Sequence, residues 1–270
     1  LIFAVTNAKS QSQEIKSIDS LLNLCVENNF INGDILIKVN EKPYYTKTIG
    51  YRDNSKQEAL KPNSSFNIGS VSKPVTSTAI MQLQEKNLLN INDKVRKYLP
   101  LFPYENICIK HLLSHTSGLI ENLDFDESDK LKLLTNDNLV NLLIKYKPKL
   151  QFEPGSKWSY SNLGYDILAT IVEQLSKMKF DEYMDKNLFQ PSGMSRTFIP
   201  ITHNLKQWLP KNLTEKDIAL PHSFENIVSC FVTNIDSSSG DHKDFFYFCG
   251  STNVYTTVYD LAKFDIALSK

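Results

Sequence analysis

The sequence lacks the features that would place it in several specialised classes of protein. Its 30 Lys and Arg residues are balanced by 30 Asp and Glu, so it has no basic surplus with which to bind nucleic acid. No segment approaches the roughly 18 consecutive apolar residues of a membrane span. Only 9 of the 270 residues are Gly, which excludes a glycine-rich fibrous chain. We therefore expect a soluble globular protein without a nucleic-acid partner or a transmembrane helix.

Cysteine and histidine are also scarce, and neither is spaced like the ligands of a structural metal. His111 and His115 are four positions apart, but no carboxylate stands between them to complete a zinc motif. The 4 Cys residues show no paired metal-binding spacing, and we expect them to be buried, apolar thiols: Cys25, Cys108, Cys230 and Cys249. We predict no metal site and no cofactor, and the sequence leaves open whether any cysteines pair.

Residues 1–8 form a short apolar run that closes on small side chains. This pattern is typical of the end of a secretory signal peptide, with cleavage after Ala8, although a frayed N-terminal strand is an alternative. We therefore predict a signal-peptide remnant at 1–8, a domain over 9–270 and a secreted or periplasmic protein.

The rest of the chain combines one predicted hairpin with several predicted helices. Apolar residues make up 41% of the sequence, which is ample for a core. β-Branched and aromatic residues predict strands at 35–39 and 44–49. The spacing of apolar residues predicts helices at 15–29, 75–89, 107–113, 131–146, 163–175 and 261–268. These patterns indicate an α+β fold.

The segment Gly69-Ser70-Val71-Ser72-Lys73-Pro74 carries a clear chemical signal. A Ser at a helix start and a Lys three residues later share one face of the first turn. A serine hydroxyl becomes a nucleophile when a neighbouring base removes its proton, and a buried neutral amine can act as that base. Gly69 permits a close backbone approach, and Pro74 suits a first helical turn. A second Ser-x-x-Lys, at 176–179, lies at the tail of a helical pattern, where the helix dipole disfavours an oxyanion.

A second chemical signal is Tyr160-Ser161-Asn162, which follows a turn and opens a helical stretch. A Tyr hydroxyl can relay protons between a nucleophile and a leaving group, and an Asn amide can orient a Lys or a substrate. The same spacing recurs at Tyr104-Glu105-Asn106 in a loop, where a packed aromatic side chain is the simpler interpretation.

These two motifs, together with the run His111-Leu112-Leu113-Ser114-His115-Thr116-Ser117-Gly118-Leu119, resemble the serine β-lactamase and penicillin-binding-protein superfamily. The most similar branch is class C-like and β-lactamase-related; it also contains D-alanyl-D-alanine carboxypeptidases, D-aminopeptidases and esterases. The resemblance implies a β-lactamase/transpeptidase-like fold, in which a small antiparallel sheet is flanked by helices and a helical subdomain occupies about 75–250.

The resemblance also implies a role for each matching residue. Ser70 would be the acyl-enzyme nucleophile, with its N–H supplying half of an oxyanion hole, and Lys73 would be its proton-accepting partner. Tyr160 would be the general base or acid of the two half-reactions, and Asn162 would orient Lys73 and bind substrate. Which of Lys73 and Tyr160 takes the Ser70 proton stays open.

One family motif is missing from the sequence. The family places a Lys, His or Arg two residues before a Gly on an inner strand, and none of the 9 Gly residues is preceded in this way. Two predicted strands also make a poor sheet, and no third strand is evident after residue 250. We therefore expect the chain to be a C-terminally truncated fragment with an incomplete sheet. The parent protein would be an active serine hydrolase, whereas the isolated fragment would be impaired in catalysis.

The sequence thus predicts a serine hydrolase that works through a Ser70 acyl-enzyme. Its substrate would be a small molecule or peptide with an amide or ester bond (a β-lactam, a D-alanyl peptide or a small ester), and we expect a monomer. The alternative is a catalytically inactive scaffold that binds peptide or cell-wall fragments. The joint presence of Ser70, Lys73 and Tyr160 favours the enzyme, because a binding protein needs no proton-transfer groups.

Overall fold

The protein is described here by a computed structural model of residues 2–124, 135–200, 209–220 and 248–269. The chain divides into two compact units. The first unit consists of Leu1–Phe66, Lys216–Ile235 and Thr257–Lys270. The second consists of Asn67–Glu215 and Asp236–Thr256.

Both helices and short strands occur in the described residues. The helices are α1 (Ile2–Glu27), α2 (Ser72–Glu85), α3 (Ile109–Leu113), α4 (Asn136–Tyr146), α5 (Asn162–Ser176), α6 (Phe180–Met184) and α7 (Val258–Leu268). The strands are β1 (Gly33–Val39), β2 (Lys42–Ile49), β3 (Tyr51–Asp53), β4 (Glu58–Ala59), β5 (Phe66–Asn67) and β6 (Tyr255–Thr256). They form three sheets of two strands each: β1 with β2, β3 with β4 and β5 with β6.

The first unit is built on the antiparallel hairpin of β1 and β2. Asn40 and Glu41 form its two-residue loop, and both have positive φ angles, 50° and 63°. This backbone twist matches that of the flanking strands, as in a type I′ turn. Helix α1 packs on the hairpin through a small buried core of Leu22, Tyr45 and Ile49. The hairpin therefore supports one side of a modest core.

The second unit is built around α5. Ten consecutive residues of this helix, from Leu163 to Val172, are buried, so the helix is enclosed on every side. Helices α2, α3, α4 and α6 all contact it. The helix begins where the Ser161 hydroxyl accepts the Gly164 N–H (3.1 Å) and ends at Lys177, whose backbone is left-handed. An apolar sequence with local caps thus produces the central helix.

The structure confirms the α+β class, the hairpin and the main helices, with shifted ends. The helix predicted at 75–89 is α2, Ser72–Glu85, and the one predicted at 107–113 shortens to α3, Ile109–Leu113. Helix α4 begins after Thr135, which caps it, and residues 131–134 of the prediction lie outside the described residues. Apolar spacing locates a helix face, whereas local capping decides where the helix ends.

Two expectations were wrong, and one alternative is excluded. Strand β6 does lie after residue 250, but it has only two residues and offers no alternation to detect. Residues 2–8 belong to α1, which excludes the N-terminal strand alternative. Of the thiols, Cys249 is buried, but Cys25 and Cys108 are partly exposed, and Cys230 lies outside the described residues.

Other expectations about the chain are not decided by the fold. The signal peptide, the domain limits and the monomer stay predictions. Among the described residues, none of the helices combines the length and apolarity that crossing a bilayer requires.

Candidate active site

Ser70 lies on a single 3₁₀ turn, Gly69–Val71, which leads directly into α2. The prediction that Ser70 starts the helix is therefore off by two residues, because the helix entry is wound more tightly than an α-helix. Gly69 has φ +50°, and no other atom lies within 4 Å of where its Cβ would be. The left-handed backbone, and not a close approach, is what favours Gly at this position.

Lys73 lies one turn further along, on the buried face of α2, and is 5% exposed. Its ammonium nitrogen is 3.1 Å from Ser70 Oγ, 2.7 Å from Asn162 Oδ1 and 3.0 Å from the Ser251 carbonyl oxygen. These three contacts match the hydrogen-bonding capacity of a Lys side chain. Burial of the amine is thus compensated by a complete set of partners.

Tyr160 approaches the same serine from another segment of the chain. Its hydroxyl donates to Ser70 Oγ over 2.5 Å, across 90 positions of sequence. Lys73 Nζ lies 4.7 Å from the centroid of the Tyr160 ring. Asn162 also donates to Asn122 Oδ1 (3.0 Å), which orients its amide oxygen toward Lys73. The structure therefore brings together all four residues predicted for the site: Ser70, Lys73, Tyr160 and Asn162.

The start of α5 fixes the Tyr160 segment against a neighbouring loop. The Ser161 hydroxyl donates to the Ile120 carbonyl (2.8 Å), and the Asn162 N–H donates to the Glu121 carbonyl (3.0 Å). Because both bonds end on backbone carbonyls of the neighbouring loop, the segment cannot slide along it without breaking them. Tyr160 is thus held by the helix cap and not only by its own hydroxyl.

Ser251 is a site residue that the sequence did not suggest. The chain reaches it through Gly250, whose φ is +124° and whose Cβ would stand 2.3 Å from the Tyr165 carbonyl oxygen. The Thr76 hydroxyl donates to the Gly250 carbonyl (2.7 Å) and fixes this segment of the chain beside α2. Gly250 was the available sequence signal for this position.

Asp166 is a second residue that sequence reasoning missed. It is 6% exposed, and its Oδ1 accepts the Ser251 N–H over 3.0 Å. Burial raises the pKa of Asp166 to about 7, against the lowering effect of the Ser251 hydrogen bonds. A carboxylate within the apolar stretch Leu163–Val172 was the signal that could have identified it.

Comparison with known proteins identifies this arrangement. A model of the family described as Beta-lactamase matches residues 27–270. The chain belongs to the Beta-lactamase family. It is 32% identical over 263 residues to "Penicillin-binding protein 4*" of Bacillus subtilis, an alignment covering 94% of this chain and 55% of that protein. The chain thus spans about half the length of this curated relative.

Solved structures of similar fold point the same way. FmtA from Staphylococcus aureus has a TM-score of 0.70 at 25% identity, covering 94% of this chain and 65% of that chain. A class C β-lactamase has a TM-score of 0.71 at 19% identity, covering 95% and 65% respectively. The Beta-lactamase family resemblance and the β-lactamase/transpeptidase fold are therefore confirmed. The chain has the fold of the β-lactamase and penicillin-binding-protein serine hydrolases.

The repeated copies of the Beta-lactamase family motifs lie elsewhere. Ser176 ends α5, and Lys179 forms an ion pair with Asp137. Tyr104 is a buried loop residue whose hydroxyl donates to the Pro148 carbonyl over 2.5 Å. Both confirm the structural interpretation of these copies.

The two histidines of the third matching run both accept backbone hydrogen bonds. His111 Nδ1 accepts the Cys108 N–H (3.2 Å), and His115 Nδ1 accepts the Ser161 N–H (3.1 Å). In the part of the chain that the structure describes, no group of three or more His, Cys, Asp or Glu is placed to hold a metal ion. His203, His222 and His242 lie outside the described residues.

Proposed function

We propose that the protein is a serine hydrolase that acts through an acyl-enzyme on Ser70. One observation carries this proposal: Ser70 Oγ is within hydrogen-bond distance of two proton-transfer groups, Lys73 Nζ at 3.1 Å and Tyr160 Oη at 2.5 Å. A serine needs such a neighbour to become a nucleophile. Membership of the Beta-lactamase family supports the same conclusion.

In the proposed reaction, Ser70 Oγ attacks the carbonyl carbon of an amide or ester and loses its proton to a neighbouring base. The tetrahedral intermediate collapses to an acyl-enzyme while the leaving amine or alcohol takes up a proton, and water then hydrolyses the acyl-enzyme. The Ser70 N–H has no hydrogen-bond acceptor in the described ranges, so it can donate to the developing oxyanion.

Two protonation states satisfy the same distances. A neutral Lys73 amine can donate to Asn162 and to the Ser251 carbonyl while accepting the Ser70 proton. Alternatively, a Lys73 ammonium donates all three bonds, and a Tyr160 phenolate accepts the proton over 2.5 Å. Tyr160→Phe separates these routes: acylation survives if Lys73 is the base and is lost if Tyr160 is.

The test of the proposed function is covalent labelling of the protein. We expect both benzylpenicillin and a fluorophosphonate to add one adduct on Ser70, detected by intact-mass spectrometry and peptide mapping. Ser70→Ala should abolish labelling, whereas Ser176→Ala, the matched change in the second Ser-x-x-Lys, should leave it unchanged.

If the protein reacts with neither probe, the result would contradict the proposal of a serine hydrolase and favour the non-catalytic scaffold. Labelling by the fluorophosphonate but not by penicillin would narrow the proposed substrates to esters or peptides.

A further inference from the structure

The His115 ring stacks on the Tyr160 ring, and His115 also binds the backbone of the two residues that flank Tyr160. The two rings are stacked, with centroids 4.7 Å apart and planes inclined by 29°. His115 Nδ1 accepts the N–H of Ser161, just after Tyr160, over 3.1 Å. The His115 carbonyl accepts the N–H of Ser159, just before it, over 2.9 Å. Three contacts of His115 therefore hold the tyrosine and the residues on either side of it.

The histidine is itself held in place. Its backbone is left-handed, with φ +56°, a conformation that few side chains adopt without support from the surrounding structure. Its ring also contacts those of Tyr165 and Trp158, with centroids 5.2 Å and 6.0 Å away. Because His115 is itself fixed, it can hold Tyr160 in one position.

Only one protonation state of His115 is compatible with these contacts. Nδ1 must carry a lone pair to accept the Ser161 N–H, so the imidazole is neutral and its proton is on Nε2. Burial, and then the positive charge of Lys73, lower the pKa of His115 below its usual range. Among the described residues, the titratable groups that face the ring are Lys73, Tyr160 and Tyr165.

We propose that neutral His115 is a positioning residue, which holds the Tyr160 hydroxyl against Ser70 Oγ and releases it when the imidazole is protonated. Protonation removes the Nδ1 acceptor for the Ser161 N–H, so Tyr160 loses one of the contacts that hold its segment in place. The effect on rate rests on the proposed function, whereas the effect on Tyr160 does not.

The first test is therefore independent of catalysis. With 13Cζ-labelled tyrosine, the Tyr160 signal (assigned by its loss in Tyr160→Phe) should shift at the same midpoint as the His115 imidazole signal in acid titration. His115→Asn can keep an oxygen acceptor and suits a left-handed backbone, and in this variant the shift should disappear. A Tyr160 signal in the native protein that ignores the His115 titration overturns the proposal.

The second test measures the rate of Ser70 acylation between pH 5 and 8. His115→Phe keeps a ring but loses the acceptor, and it should acylate about tenfold more slowly or worse at pH 7.5. His115→Asn should stay within about threefold of the native rate there, and its rate should fall less steeply toward pH 5. Identical pH profiles in the native protein and His115→Asn overturn the proposal. Absence of any Ser70 adduct in the native protein contradicts the proposed function alone, because the tyrosine signal still decides the role of His115.

Discussion

Helix α5 and strand β1 are both rich in apolar side chains, yet they are enclosed very differently. Ten consecutive residues of α5 are buried, whereas none of the seven residues of β1 is. Tyr160 and Asn162 lie at the start of α5, and Lys73 lies on α2, which packs against it. The residues that must meet within about 3 Å are therefore attached to the closely packed helices, where neighbours limit every displacement.

The same contrast separates the helices of the two units. Leu168 of α5 is fully buried, whereas Leu21 and Leu24 of α1 are 62% and 57% exposed. A substitution at the buried Leu168 should therefore lower stability strongly, whereas one at the exposed Leu21 or Leu24 should not. Two of the four experiments that follow compare the units directly, and the other two test buried groups of the second unit.

The largest expected effect is at Lys73. Lys73→Met should lower the rate of Ser70 acylation by a factor of about 10² to 10⁴, because the amine takes part in proton transfer. Met fills a buried position without an unpaired charge, so the fold should survive, as checked by circular dichroism. Lys179→Met, in the second Ser-x-x-Lys, is the matched control and should acylate like the native protein. Native-like acylation of Lys73→Met would remove the amine from the mechanism.

The next effect is on packing. Leu168→Ala should lower the free energy of unfolding by about 3 kcal/mol, because it leaves a cavity in a fully buried helix. Leu24→Ala, at an exposed position of α1, should change it by less than about 0.5 kcal/mol. Urea denaturation of both variants measures the difference. Equal losses would show that the two units are equally well packed, against the burial described above.

A backbone substitution should distinguish the units next. In Gly250→Ala the new Cβ would stand 2.3 Å from the Tyr165 carbonyl oxygen, on a left-handed backbone. We expect a loss of about 2 to 3 kcal/mol in unfolding free energy, together with slower acylation, since Ser251 must move away from Lys73. Gly33→Ala in β1 meets no atom within 4 Å and should be neutral or slightly stabilising. Native acylation in Gly250→Ala would show that the Ser251 carbonyl is dispensable.

The smallest effect is a pH dependence that comes from Asp166. Its pKa rises from 3.8 to about 7 on folding, so the folded protein binds more protons than the unfolded chain at intermediate pH. This contribution to stability is complete below pH 3.8 and is lost as the pH rises through 7. Between pH 5 and 7 the native free energy of unfolding should therefore fall about 2 kcal/mol more than that of Asp166→Asn.

The comparison of these two proteins isolates Asp166. Burial also raises the pKa of Glu173 to about 7 and raises that of Asp181, but both titrate in either protein and their effects cancel. Asn is similar in shape to Asp and keeps an oxygen to accept the Ser251 N–H. Parallel pH profiles of stability for the two proteins would show that folding does not raise the pKa of Asp166.

Sequence reasoning succeeded where the structure depends on local geometry. Ser70 and Lys73 are three residues apart on one winding turn, so their 3.1 Å contact follows from helical spacing. It failed for Ser251 and Asp166, because their contacts join distant segments of the chain. Ser251 binds Asp166 across 85 positions of sequence and Lys73 across 178. It also failed for β3 to β6, which have two or three residues each and no periodicity to detect.

The amino-acid sequence alone predicted the fold class, because apolar periodicity is a property of neighbouring residues. The resemblance of its motifs to a known superfamily pointed to the family and to four candidate site residues. Tertiary structure alone decided which further groups surround them: the Ser251 carbonyl, the buried Asp166 and the His115 ring against Tyr160. These contacts depend on how helices pack and where a left-handed glycine lets the chain pass, and such long-range geometry is not written in the spacing of any single segment.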